Sequence, residues 1–348
     1  MRRRCCALFA VIAMVFASPA ELAAQPSIQP EEWALYKSRF LDVSGRIVDN
    51  ANGNISHSEG QGYGLLLAYL ANSSADFEQI WYFTQTELLL RDDGLAVWKW
   101  NPAENPHVTD TNNATDGDIL IAYALALAGA AWRQPEYIKA ASVIARGILS
   151  KTVVVSGGRT ILLPGASGFS AKDRDDGPVV NPSYWIFEAF PVLELLAPSD
   201  AWQDVSQGGL DIMRSLQFGP ALLPAEWVSL KRKPEPATGF DKEFSYNSIR
   251  IPLYLARAGV DDTMLLKRLQ KGTTTEQGLP AVIDLENGQP KEVLTDAGYQ
   301  IVNHIVACVV DGTKLPAAVI RFEPEFYYPS TLQLLGLAFV REKHPECL

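Results

Sequence analysis

The chain has 348 residues, of which 47% are hydrophobic and 20% charged, with a formal charge of −10. That is enough apolar material for one large core or two modest ones, and too little charge for a disordered polyelectrolyte. An acidic chain of this kind repels nucleic acid and anionic membrane surfaces, which excludes a phosphate-tracking role.

Arg2-Arg3-Arg4, the apolar run from Cys5 to Ala17 and the small residues around Ala20 to Ala24 read as a secretory signal peptide over residues 1–24. Cleavage is expected after Ala24, with Ala20 as the alternative. No later apolar run approaches the 18 residues of a membrane span, so the mature chain is expected in the periplasm or outside the cell, without membrane insertion. Loss of Arg2, Arg3, Arg4 and Glu21 takes the formal charge from −10 to −12. Cys5 and Cys6 leave with the leader. Cys308 and Cys347 remain, and can form one disulfide in an oxidising compartment. The four histidines are scattered singly, and no zinc-binding spacing occurs.

From residue 31 onward, helix-period patterns dominate. Helices are predicted over 31–49, 60–72, 75–90, 116–131, 135–149, 183–197, 199–216, 245–258, 261–270, 292–307 and 329–342. Strand patterns are confined to a hairpin, Thr152–Val155 with Arg159–Leu163 across a Ser-Gly-Gly turn. No Pro-rich or polar linker divides the chain. Residues 25–348 therefore read as one all-α domain of helix pairs, arranged as a ring around a common core.

Two stretches carry chemistry. The first, Ser56-His57-Ser58-Glu59-Gly60-Gln61-Gly62-Tyr63-Gly64, precedes the apolar run Leu65 to Ala71. Ser56 and Glu59 have the spacing of a capping box. The glycines at 60, 62 and 64 argue for more than a cap, because each costs about 1 kcal/mol in a helix interior relative to alanine. They imply close approach of a second helix or of a ligand. The second stretch, Asn112-Asn113-Ala114-Thr115-Asp116-Gly117-Asp118, opens a helix apolar on all sides as far as Trp132. Asp116 and Asp118 fit an N-cap or first turn. Yet the same device twice, a polar glycine-rich loop and then an acid on a buried helix, points to a paired-carboxylate cleft.

Such a pair suits glycosidic bond cleavage, which needs one protonated and one ionised carboxyl group. A helix N-terminus favours the ionised form of Glu59. Enclosure among aromatic rings beside a charged Asp116 is expected to outweigh that and to raise its pKa. Trp98 and Trp100, alternating in an extended segment, would face one side and offer stacking surfaces for sugar rings. Tyr184-Trp185 and Tyr327-Tyr328 add further rings.

Together, Ser58 to Gly64, Ala114 to Asp118, Asn181-Pro182-Ser183-Tyr184 and Tyr246-Asn247-Ser248-Ile249-Arg250 resemble glycoside hydrolase family 8, in order and spacing across nearly the whole mature chain. Within the family, the similarity is to exported bacterial endo-1,4-β-glucanases associated with cellulose synthesis. The resemblance implies an (α/α)6 barrel with an open cleft, hydrolysis with inversion, a β-1,4-linked glucan as substrate, no cofactor and no metal. It also implies a functional association with cellulose synthase machinery. By the same resemblance Glu59 is the proton donor and Asp116 the signature aspartate that holds the sugar at the cleavage subsite. Tyr184 positions the attacking water, Arg250 lies near the base, and Trp98 or Trp100 forms a platform. Asn247 stands where many relatives carry an aspartate base. An amide cannot take up a proton at neutral pH, so the base is sought among Asp241, Glu243 and Asp116, with Asn247 kept as a substrate-binding residue. The departure also admits a non-catalytic glucan-binding protein, or the same chemistry on chitosan, xylan or mixed-linkage glucan.

Overall fold

A computed structural model describes residues 26–348; the signal peptide read over residues 1–24 lies outside the described residues. Twelve α-helices are found among them: α1 (Pro30–Phe40), α2 (Ser58–Leu70), α3 (Ser74–Phe83), α4 (Thr115–Ala131), α5 (Pro135–Lys151), α6 (Phe190–Leu196), α7 (Ala201–Ser215), α8 (Ile251–Arg257), α9 (Thr263–Thr273), α10 (Ala297–Asp311), α11 (Ala317–Ile320) and α12 (Tyr327–Lys343). None is long and apolar enough to cross a membrane.

Sequence pattern sorts these helices into two layers. In α2, α4, α8 and α12 nearly every residue is buried, because the chain there is apolar on all sides, as in Ile119-Leu120-Ile121-Ala122-Tyr123-Ala124-Leu125-Ala126. Their partners are amphipathic. Helix α5 buries Ala141, Ile144, Ala145 and Ile148, and α7 buries Trp202, Val205, Gly209 and Ile212, each a single stripe at helical spacing. Inner helices touch in the order α12–α2–α4–α6 and α8–α10–α12, while α1, α3, α5, α7, α9 and α11 pack outside. This alternation is the (α/α)6 barrel expected above. Polar contacts tie the gap between α6 and α8. Arg257 of α8 donates from Nε and Nη2 to Glu188, just before α6, at 2.6 and 3.0 Å. Tyr63 of α2 hydrogen-bonds Tyr254 of α8.

The predicted hairpin is present as β3 (Val153–Ser156) against β4 (Arg159–Leu162), following β1 (Ser56–His57) and β2 (Lys99–Trp100), which pair with each other. Gly157 and Gly158 turn it with φ of 57° and 76°, the left-handed values a two-residue hairpin turn requires. Two three-stranded sheets were not anticipated: β5 (Val179–Val180), β6 (Val228–Ser229) and β7 (Glu235–Pro236) form one, and β8 (Glu243–Phe244), β9 (Ala281–Asp284) and β10 (Pro290–Val293) the other. Four of these six strands have two residues, too short to show a period of two, and the four-residue β9 and β10 show no alternation, being buried nearly throughout in one and exposed throughout in the other.

Several helices are shorter than predicted. The 183–197 and 245–258 segments become helical only at Phe190 and Ile251, with Pro191 and Pro252 in the first turns. The residues ahead of them form short 3-10 turns at Pro182–Tyr184 and Ser248–Arg250. The segment predicted as helix over 31–49 ends at Phe40, and that over 292–307 starts at Ala297 after β10. Cys308 of α10 and Cys347 are joined by a disulfide, Cα to Cα 6.0 Å, which ties the chain terminus to the inner layer.

Glycines set how closely α2 and α4 cross. A Cβ on Gly62 would lie 3.1 Å from the backbone nitrogen of Ile121, and one on Gly117 would lie 2.7 Å from the backbone nitrogen of Glu59. Of the two explanations offered by the glycine spacing, close approach of a second helix is the one seen for Gly62. Backbone cannot yield as a flexible side chain can. Gly117→Ala is therefore expected to lower stability by about 1–3 kcal/mol, measured by chemical denaturation, as α2 and α4 are forced apart.

Candidate active site

The first turn of α2 is held by its neighbours rather than by a capping box. His57 is the N-cap, and its Nδ1 accepts the N–H of Gly60 at 2.9 Å. Ser56, the expected cap, donates instead to the carbonyl of Ile47. The His57 Nε2 faces Asp49 Oδ2 at 3.5 Å. Burial lowers the His57 pKa, but Asp49, Glu59 and Asp116 pull it up to a net rise. A proton on Nδ1 would cost the lone pair that holds Gly60, so the cap itself selects the neutral Nε2–H tautomer. Pairing of β1 with β2 places Ser56 opposite Trp100, and the Ser58 N–H donates to the Trp98 carbonyl at 3.0 Å. With its start fixed this way, α2 leaves the Glu59 side chain free to turn inward.

At the head of α4, Asp116 is buried and its Oδ1 accepts the N–H of Gly117 at 2.9 Å. Asp118 does a different job. Its two oxygens take the Ala96 N–H at 2.7 Å and the Asn113 amide at 2.8 Å, bracing the loops around the helix start. Burial pushes Asp118 up to about 8, against the pull of those donors.

Arg250, wholly buried at the end of the 3-10 turn before α8, joins the two stretches. Its Nη1 donates to Glu59, and its Nη2 to Asp116 Oδ2 at 2.6 Å and to Ser183 Oγ at 3.2 Å. Ser183 is itself anchored to Asn181 Oδ1 at 2.8 Å. The Tyr184 ring lies 5.8 Å from the Arg250 guanidinium, and burial keeps its phenol protonated far above neutral pH. Burial opposes the charge on Arg250, but the oxygens around it, those of Tyr254 and Glu59 first, hold it firmly protonated.

The carboxyl groups divide unequally around this cation. Burial raises both. At Glu59 the Arg250 charge, His57 and a hydrogen bond from Asp116 outweigh burial, and the net shift is downward. At Asp116 burial wins, aided by repulsion from Glu59, and the group is pushed up to about 6. The sequence expectation was the reverse, a raised Glu59 beside an ionised Asp116. It lacked Arg250, whose contact with Glu59 could not be read from residues 191 positions apart. One guanidinium cannot neutralise two buried carboxylates, so the pair holds a proton more readily than two free carboxylates would, with Asp116 the raised member.

Glu59 opens onto a cavity of about 660 Å³, where Asp49, Asn247, Glu292, Asp296 and the rings of Tyr246, Tyr299, Tyr327 and Tyr328 also stand. Trp98 and Trp100 lie beside the start of α2, outside that lining. Trp98 Nε1 donates to Asp110 at 2.8 Å, and the Trp100 ring is packed against His107, Phe83 and Arg46. Of the loop acids proposed as base, Asp241 is exposed and Glu243 is paired with Lys291 at 2.6 Å, and neither lines the cavity onto which Glu59 opens. Among the described residues no cluster of three side chains has the make-up of a metal site.

The sequence reading missed Asp49, Tyr299 and Glu226, and named Tyr246 only as part of a motif. Glu226 carried a usable signal, a lone acid inside the apolar run Leu222-Leu223-Pro224-Ala225-Glu226-Trp227-Val228. Tyr299 and Asp49 carried none, since only folding brings them to the cavity.

Removing the cation tests how far the cluster depends on it. Arg250→Met leaves two buried carboxyl groups with no counter-charge and is expected to cost about 3–5 kcal/mol at pH 7 in denaturant titrations. Both carboxyl pKa values rise in the variant, so the loss shrinks as pH falls through the range where they take up protons.

The chain as a whole is similar to known proteins. The model of glycosyl hydrolases family 8 matches residues 3–342. A probable endoglucanase of Novacetimonas hansenii is 32% identical over 332 residues, covering 94% of either chain. An endoglucanase of Cellulomonas uda is 39% identical over 226 residues, which is 64% of this chain and 62% of that protein. Among solved structures, endoglucanase Cel10 from Klebsiella pneumoniae superposes with a TM-score of 0.81 at 31% identity, over 90% of this chain and all of that one. The endo-β-1,4-glucanase CMCax from Acetobacter xylinum gives 0.80 at 32% identity, over 90% and 97%. By family model, sequence and fold alike, this chain belongs to family 8 of the glycosyl hydrolases.

Proposed function

We propose that the chain is an exported endo-β-1,4-glucanase that hydrolyses internal bonds of cellulose or a related glucan with inversion, using Glu59 as the general acid. The observation that carries this reading is the buried Glu59–Arg250–Asp116 cluster, in which two carboxyl groups face one guanidinium and the outer one, Glu59, lines the cavity. The endoglucanases among its relatives support the substrate class. Export rests on the leader alone, and a functional association with cellulose-synthesising machinery on the resemblance alone.

In this reading a glucan chain lies over Glu59, supported by the tyrosines of the cavity. The proton shared with Asp116 moves to Glu59 and from there to the glycosidic oxygen, while water attacks C1 from the opposite face and passes its own proton to a base. Asp116 is not placed as that base. Inversion needs about 6.5–9.5 Å between acid and base, whereas Asp116 and Glu59 share a guanidinium and a hydrogen bond. Its geometry suits a proton reservoir, and a hydrogen-bond partner for the sugar. Tyr184, protonated and beside the cluster, is placed to orient water or a hydroxyl as a donor.

The acidic lining favours a second substrate reading. Asp49, Glu59, Glu292 and Asp296 face one cavity, which suits the cationic amines of chitosan. Reducing-end release from carboxymethyl-cellulose, chitosan, xylan and mixed-linkage glucan, compared side by side, decides between them.

Glu59→Gln is expected to abolish reducing-end release from whichever polymer is cut, by at least about 100-fold in kcat, with the thermal transition preserved. Full activity in that variant would remove Glu59 from the mechanism. Because the shared proton is lost as pH rises past about 6, kcat/KM on cello-oligosaccharides is expected to fall on the alkaline side of that value, roughly tenfold per pH unit. A flat profile from pH 5 to 8 would contradict the proton-sharing account.

A further inference from the structure

Outside the Arg250 cluster, one more buried carboxyl group lies next to the cavity. Glu226 precedes β6 and is 9% exposed, and no role has been assigned to it above. Its backbone N–H donates to the Glu243 carbonyl at 3.1 Å, which fixes the segment against β8. Its side-chain oxygens take donors from Asn247 and the backbone of Ser248, and both reach Asn247. Oε1 accepts the Asn247 N–H at 2.8 Å, and Oε2 accepts the Asn247 Nδ2 at 3.3 Å. Asn247 in turn lines the cavity with Glu59, and begins the turn that ends in Arg250.

A carboxylate can only accept hydrogen bonds, so it dictates which way an asparagine amide must point. With Nδ2 turned to Glu226, the carboxamide oxygen is turned away from it. We propose that Glu226 is a positioning residue for hydrolysis: it clamps Asn247 so that Oδ1 faces the cleft as the acceptor that orients the attacking water. A free asparagine would sample both amide orientations, and the flipped one offers water a donor where an acceptor is needed. A carboxylate buried for packing alone would be a costly choice, since burial without a purpose for its charge is avoided. Burial does raise Glu226, and the donors from Asn247 oppose that rise, consistent with a group kept for its acceptor character.

This inference rests on the hydrolase reading, and a double-mutant cycle on the full-length mature chain tests it. Glu226→Gln introduces a side chain that can donate, which frees the Asn247 amide to flip. The variant is expected to lose roughly 10- to 100-fold in kcat on cello-oligosaccharides, with KM within about twofold and an unchanged thermal transition. Asn247→Ala removes the acceptor itself and is expected to lose at least as much. Adding E226Q to N247A should cost nothing further, because Glu226 then has nothing to orient; a merely structural carboxylate would give multiplied losses. The exchange E226Q/N247D, which puts the amide donor behind and a carboxylate acceptor in front, is expected to exceed E226Q alone in kcat. Wild-type kcat in E226Q, wild-type kcat in N247A, or multiplied losses in the double variant would each overturn the inference. If E226Q does not fold, Glu226→Asp, which keeps the charge but withdraws the acceptor from Asn247, replaces it in the cycle with the same expected and overturning outcomes. Glu59→Gln run in parallel separates the failures: activity surviving there removes the hydrolase reading, whereas activity lost there but intact in E226Q removes only the role of Glu226.

Discussion

One buried cation organises the centre of this protein. Arg250 reaches from the turn before α8 to Glu59 at the head of α2, to Asp116 at the head of α4 and to Ser183 before α6. Each of those residues starts or precedes a different inner helix, so one guanidinium sets the mutual position of four elements. A planar fork of five donors suits this task, and a lysine, with a single compact charge, would not. The same contact sets the chemistry. Two carboxyl groups face one positive charge in a buried interior, and Glu59 is the one that also lines the cavity.

That cluster in turn depends on how tightly α2 and α4 cross. Gly62 and Gly117 face one another across the contact, and each leaves space that a Cβ would fill with backbone on the other helix. Glu59 lies three residues from Gly62, and Asp116 adjoins Gly117. Helix packing and the placing of the two acids are thus set at one contact, and the glycines that lower helix propensity are the residues that let two carboxyl groups share an arginine. The helix start is held separately, by the imidazole of His57 and the β1–β2 pairing, which releases Glu59 from capping.

Legibility in the sequence followed the length of the signal. Helices α4, α5, α7 and α12 were readable because fifteen or more residues repeat a pattern, all apolar or one-faced. The β3–β4 hairpin was readable from its paired glycines. The two three-stranded sheets were not, since four of their six strands have two residues and the other two do not alternate. Proline explains the shortened starts at Phe190 and Ile251: the chain ahead of Pro191 and Pro252 forms turns that deliver Ser183 and Arg250 rather than more helix.

What the sequence determined alone was the all-α class, the long helices and the two stretches that carry Glu59 and Asp116. Apolar pattern separates inner from outer helices, and the glycine-flanked Glu59 and Asp116 stand out against buried runs. Tertiary structure alone decided which acid keeps the proton, because that depends on a charge 191 residues away and on burial. It also decided what surrounds Asn247, whose partner Glu226 lies 21 residues upstream. Burial and long-range pairing are properties of the assembled barrel, and pKa and amide orientation follow from them.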